Sequence, residues 1–300
     1  MDHLIAESLE GIDVPSEGRM IESADGTRIA TFKLGQGPIP WVMPPAMGSP
    51  LLSMKRVIEP LAERVTFYTW DMRGFYASGA PRDPNAYSIE HHIGDLEATL
   101  AAWKPRSFLL GGWSMGVQLS LEQHHRAPDD VRGLILINGP FERALQSVAP
   151  VVHPLLARSL AVGPKLAPAL NALSLRVLGA PRAAQRLHQV GVLTENPELF
   201  ARVLERFCRV DWGRYFTVTR HLHAHSAERH LAGVRVPTLI TSGTRDFMTP
   251  PSVARRMHER IAGSELFVVD RATHYIPIEF GELLAERIAT FLDRVERRAA

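Results

Sequence analysis

The sequence predicts a three-layer α/β protein with a mostly parallel sheet, opened by an antiparallel hairpin and interrupted by a helical insertion. Three observations carry this. Short apolar runs bounded by Pro, Gly, Asp or Asn alternate with helical patterns, which implies a layered α/β sheet. Asp25-Gly26 separates two strand-like segments, a hairpin signal. From Pro140 to about His230 the strands stop, and the chain becomes rich in Ala, Leu, Pro and Arg.

Taken in order, Arg19–Ser23 and Arg28–Lys33 form the expected hairpin. Ile39–Met43, Val65–Trp70, Ser107–Gly111 and Leu134–Ile137 follow as strands, their near-continuous apolar character suiting parallel strands covered on both faces. Ser88 is a suitable N-cap for a helix in which Ile89, Ile93, Leu96, Leu100 and Trp103 recur at helical spacing before Pro105. After the insertion, Thr238–Ser242 and Glu265–Val269 resume the strands. A last helix carries Leu284, Ile288, Phe291 and Val295 on one face. The expected division is a sheet domain of residues 1–139 and 231–300 with an insertion at 140–230.

Composition limits the function. Of 300 residues, 45% are hydrophobic and the net charge is only +2, so no basic field points to nucleic acid. The one cysteine, Cys208, allows no intrachain disulfide. Acids interrupt the first residues, so no secretory signal is expected, and no apolar run is long enough to span a membrane. These features predict a cytoplasmic protein. With no Walker-type loop or Rossmann fingerprint, no cofactor is expected. Alternate histidines at His221, His223 and His225, with His230 nearby, could share a strand face. They lack a carboxylate or cysteine at ligand spacing, and no metal is expected.

Gly111-Gly112-Trp113-Ser114-Met115-Gly116 follows a buried strand and precedes a helical stretch, Val117–Arg126. A serine on so sharp a turn needs a strained backbone and small residues two before and two after it, here Gly112 and Gly116. The helix that begins there favours a developing oxyanion. The same pattern also suits a turn that merely packs tightly.

A serine hydroxyl needs a base, and the base needs an orienting acid. Asp246 lies in the loop after Thr238–Ser242, and His274 in the loop after Glu265–Val269, both at the carboxyl ends of strands. A turn residue and a surface histidine are the plainer readings. Order along the chain and loop position favour Ser114, Asp246 and His274 as a triad. Asp270 is the nearest rival acid, and Asn138, ending another strand, cannot act as one.

With these motifs in place, the chain resembles the α/β-hydrolase superfamily from about Arg19 to Phe291. Besides the serine turn, Asp71-Met-Arg73-Gly74-Phe-Tyr-Ala-Ser78 looks like the family's D-x-R-G-x-G-x-S segment, and Val236–Asp246 like its approach to the acid. The resemblance implies a three-layer α/β-hydrolase fold whose 140–230 insertion is a helical cap over the site. It implies oxyanion donors at the backbone N–H of Ala46 and Met115. The family's His-Gly segment is here Pro44-Pro45-Ala46-Met47-Gly48, and proline has no N–H. Tyr76 replaces a usual glycine, so a bulkier loop is expected there. Trp113, Met47 and Tyr76 are the expected substrate neighbours.

The implied activity is hydrolysis of a small-molecule carboxylic ester or thioester through an acyl-enzyme. Leu155, Leu156, Leu160, Leu166, Leu170 and Leu173 could line an apolar acyl pocket, or simply pack the cap on the sheet. Perhydrolase or carbon–carbon hydrolase chemistry on the same triad remains open, as does a ligand receptor with little turnover. Neither the substrate nor the oligomeric state is legible in the residues.

Overall fold

A computed structural model describes residues 2–148, 153–177 and 181–299. Its elements run α1 (Asp2–Leu9), β1 (Ser16–Glu22), β2 (Arg28–Leu34), β3 (Ile39–Val42), α2 (Lys55–Leu61), β4 (Val65–Trp70), α3 (Ile89–Trp103), β5 (Phe108–Leu110), α4 (Met115–Arg126) and β6 (Val131–Ile137). The insertion holds α5 (Ala144–Ser147), α6 (His153–Val177), α7 (Pro181–Gln189), α8 (Pro197–Phe207) and α9 (Trp212–Ala224). Then come β7 (Thr238–Gly243), α10 (Pro251–Arg260), β8 (Glu265–Val269), α11 (Ile276–Glu279) and α12 (Gly281–Ala299).

The strands form one sheet in the order β1-β2-β4-β3-β5-β6-β7-β8. β1–β2 and β2–β4 are antiparallel, and the remaining pairs are parallel. The hairpin turns at Ser23–Thr27. Gly26 adopts a positive φ of 77° there, and the Asp25 carboxylate accepts the Thr27 N–H at 3.0 Å.

Strand alternation sorts the core into two layers. Trp41, Leu109, Ile135, Ile137 and Leu239 face α2, α11 and α12, while Val42, Leu110, Leu134, Leu136 and Ile240 face α3, α4 and α10. Each such side chain taken fully out of water contributes about 1.5–3 kcal/mol. Because both faces are covered, the strands read as continuous apolar runs rather than as an alternation.

Arg73 ties the loop after β4 to this frame. Only 1% exposed, it donates to both oxygens of Asp95 on α3 at 2.8 and 2.6 Å and to Asp25 of the hairpin turn at 2.7 Å. It also donates to the Ala86 and His91 carbonyls. A buried guanidinium needs all its donors met, and this one is met by three separate segments.

The histidine-rich segment lies at the end of a helix, so no strand face is shared there. His221 and His223 lie in α9, where residues two apart do not share a face. His230 instead meets Glu122 of α4 at 3.0 Å and stacks on His125. Among the described residues no cluster of His, Cys, Asp and Glu has the arrangement of a metal site. None of their helices is long and apolar enough to cross a membrane.

Candidate active site

Five loops at the carboxyl ends of the parallel strands converge on Ser114. The serine sits between β5 and α4 with φ 57° and ψ −117°, a region that costs a non-glycine residue on the order of 1–3 kcal/mol. What holds it there is packing. A Cβ on Gly112 would stand 2.3 Å from the Pro44 carbonyl oxygen, and one on Gly116 would stand 2.5 Å from the same atom. Both glycines are therefore required by one close backbone approach. The Ser114 N–H donates to the Ile137 carbonyl at 2.9 Å, anchoring the turn to β6.

The side chains predicted from sequence meet in series. Ser114 Oγ and His274 Nε2 are 3.0 Å apart, and His274 Nδ1 and Asp246 Oδ2 are 2.9 Å apart. His274 is 4% exposed and Asp246 3%. A buried carboxylate needs full hydrogen bonding, and Asp246 has it. Its Oδ1 accepts the N–H groups of Met248 and Thr249 at 2.9 and 2.8 Å, and its Oδ2 accepts the Thr249 hydroxyl at 2.7 Å. Such an acid can hold an imidazole in one tautomer and orientation, leaving Nε2 to take a proton from the serine.

Three supporting residues were not foreseen as such. Asn138, which sequence reading excluded as an acid, donates its amide to Asp246 Oδ2 at 3.1 Å and to the Thr273 carbonyl at 3.2 Å. Thr249 contributes the contacts above. The Trp113 indole donates to the His274 backbone carbonyl at 2.9 Å, tying the serine turn to the histidine loop. Position at a strand end was the sole signal for Asn138, Trp113 was marked by the serine turn but as a substrate neighbour, and nothing local marked Thr249.

Ser114 and His274 open onto a cavity of about 120 Å³, bordered by Ala46, Met47, Trp113 and Tyr275 on the sheet side and by Phe200, Val203, Leu204, Phe207 and Tyr215 of the insertion. Met115 is the first residue of α4, and its N–H lies in the turn that has no helical acceptor of its own. Tyr76 does not border this cavity. Its hydroxyl donates to the Gly48 carbonyl at 2.6 Å, and it lines a second cavity of about 580 Å³ together with Asp71, Leu175, Arg206, Cys208 and Arg214. There, burial lifts the Asp71 carboxyl to about 7, against the hydrogen bonds it accepts from Ser8 and Ala77.

Leu160, Leu166, Leu170 and Leu173 of α6 depart from the acyl-lining expectation. Leu166 and Leu173 are each half exposed to solvent, and neither α6 leucine borders the Ser114 cavity. α6 turns Gly163, Ala167 and Ser174 inward instead. A Cβ on Gly163 would fall within 2.4 Å of the Phe216 ring of α9. The side chains of Leu155 and Leu156 lie outside the described residues.

Residues 53–280 match the protein family described as serine aminopeptidase, S33. The chain belongs to that family. It is accordingly a serine hydrolase of the α/β-hydrolase superfamily. The chain is 26% identical to a proline iminopeptidase of Saccharolobus solfataricus over 247 residues, covering 77% of this chain and 76% of that one. A shorter stretch of 64 residues is 42% identical to the proline iminopeptidase of Lactobacillus acidophilus, but it spans only 22% of that protein. A pimeloyl-[acyl-carrier protein] methyl ester esterase of Neisseria meningitidis is 28% identical over 191 residues, 61% of this chain and 67% of the relative. Among solved structures, the enol-lactonase of Burkholderia xenovorans superposes with a TM-score of 0.73 at 23% identity, over 92% of this chain and 100% of that one, a likeness of fold.

Proposed function

We propose that this serine hydrolase cleaves a carboxylic ester or thioester with a hydrophobic acyl group, through an acyl-enzyme on Ser114. The observation that carries the reading is the unbroken series Ser114–His274–Asp246, at 3.0 and 2.9 Å, opening onto an apolar cavity. His274 Nε2 takes the hydroxyl proton as Ser114 Oγ attacks the carbonyl carbon. The amides of Ala46 and Met115 hold the oxyanion, and the imidazolium is balanced by Asp246. His274 then protonates the leaving group and activates water for deacylation.

The cavity supports an ester over an amino-terminal peptide. An N-terminal ammonium taken out of water needs a carboxylate partner, and no Asp or Glu stands among the described residues bordering the cavity. Its borders include Met47, Phe200, Val203, Leu204, Phe207 and Met248, which suit an acyl chain. The second reading is aminopeptidase activity, favoured by the proline iminopeptidases among the relatives.

A ladder of p-nitrophenyl esters from acetate to decanoate, run beside prolyl p-nitroanilide, tests the choice. A maximum at medium chain length with no anilide cleavage is expected; anilide cleavage with a flat ester profile rejects the acyl reading. Labelling with a fluorophosphonate and peptide mapping should place the adduct on Ser114. Ser114→Ala should lower kcat about a million-fold, and retained turnover would remove Ser114 as nucleophile.

A further inference from the structure

Among the described residues, five of the eight exposed large hydrophobic side chains lie on α6, one of them, Leu175, beside the cavity of about 580 Å³. Val162, Leu166, Leu173 and Val177 of α6 are 37%, 50%, 50% and 63% exposed. At 3.6 residues per turn these four fall on one side of the helix. They lie beside the buried face, where Gly163 and Ala167 pack on α9 and Ser174 donates to the Cys208 carbonyl at the end of α8. Arg158, Lys165 and Arg176, all exposed, fall together along the opposite edge of the apolar stripe. Among the described residues none of the three forms an ion pair, and no acid stands near them in the chain. Between Glu142 and Glu195 the sequence contains no Asp or Glu, yet it contains Arg143, Arg158, Lys165, Arg176, Arg182 and Arg186.

We infer that α6 docks on an anionic lipid surface, its apolar stripe entering the acyl boundary and its basic edge lying at the headgroups. The charge pattern selects this occupant. An apolar stripe meant for a second copy of the chain would bring two acid-free basic edges together, which repel, whereas an anionic bilayer meets both the stripe and the edge. Lys and Arg stems extend along apolar surface while their charges stay wet, as this geometry requires. The inference is independent of the chemistry assigned to Ser114.

Co-sedimentation of the full chain with sonicated vesicles tests it. Binding is expected to 3:1 phosphatidylcholine:phosphatidylglycerol vesicles and not to pure phosphatidylcholine, and to weaken as salt rises. Leu166→Gln with Leu173→Gln should weaken binding at least tenfold, and Lys165→Gln with Arg176→Gln on the order of fivefold per charge removed. Both pairs are surface changes, and an unaltered thermal melt confirms their folding. Ser114→Ala should bind vesicles like the parent chain, so loss of catalysis and loss of docking are read separately. Absence of binding to the anionic vesicles overturns the inference, as does binding indifferent to the leucine pair. So does a concentration-dependent dimer abolished by that pair, which would assign the stripe to self-association.

Discussion

The rim of the sheet and the inserted helices are built on opposite principles. At the rim, the side chains of the series are held by hydrogen bonds from several segments. Asp246 accepts from Met248, Thr249 and Asn138, Trp113 clamps the His274 loop, and two glycines are forced by one carbonyl. Among the described residues, the insertion borders the same cavity with Phe200, Val203, Leu204 and Phe207 of α8 and Tyr215 of α9, and it leaves α6 with an uncovered face. Directional bonds fix positions to within tenths of an ångström; apolar packing fixes volume and tolerates exchange. On the proposed reading, chemistry belongs to the rim and selectivity to the insertion.

The sharpest way to break this division is Asp246→Asn. It keeps the shape but favours the wrong imidazole tautomer, and kcat should drop about ten-thousand-fold with KM little changed. A shift in KM alone would mean that the acid does not orient His274. Next in size is Asn138→Ala, which removes one donor to the carboxylate; steady-state kinetics should give about a tenfold loss in kcat.

On the insertion the effect should reverse in kind. Phe207→Ala enlarges the cavity without touching the hydrogen-bond series. Long-chain esters should show KM raised by about five- to tenfold while kcat holds, and a kcat collapse would contradict the division of labour.

The smallest effect concerns stability. Burial raises the Asp71 carboxyl from 3.8 to about 7, so the folded chain keeps a proton that the unfolded chain releases. Stability then falls as pH rises from about 4 to about 7 and levels off above. Asp71→Asn should flatten that slope, so the Tm difference between pH 5 and pH 8 should shrink by a few degrees. An unchanged difference would show that Asp71 keeps an ordinary pKa.

Much of this molecule is legible in its residues alone. Val65–Trp70, Glu265–Val269 and the helix from Ile89 to Trp103 lie where periodicity placed them, since strands covered on both faces and helices with one apolar stripe leave distinct patterns. The serine turn was legible because its constraint is local: a strained residue flanked by obligatory glycines at fixed offsets. Order along the chain then pointed to Asp246 and His274.

What the residue string by itself determined was the layered sheet, its interruption and three candidates for one site, because those depend on local pattern and chain order. Only the tertiary structure decided which neighbours complete the site and which way the insertion faces. Asn138 reaches Asp246 across 108 positions, and Leu166 and Leu173 of α6 turn outward while Gly163 and Ala167 pack on α9. Contacts between distant segments leave no periodicity to read, so such partners emerge only once the chain has closed on itself.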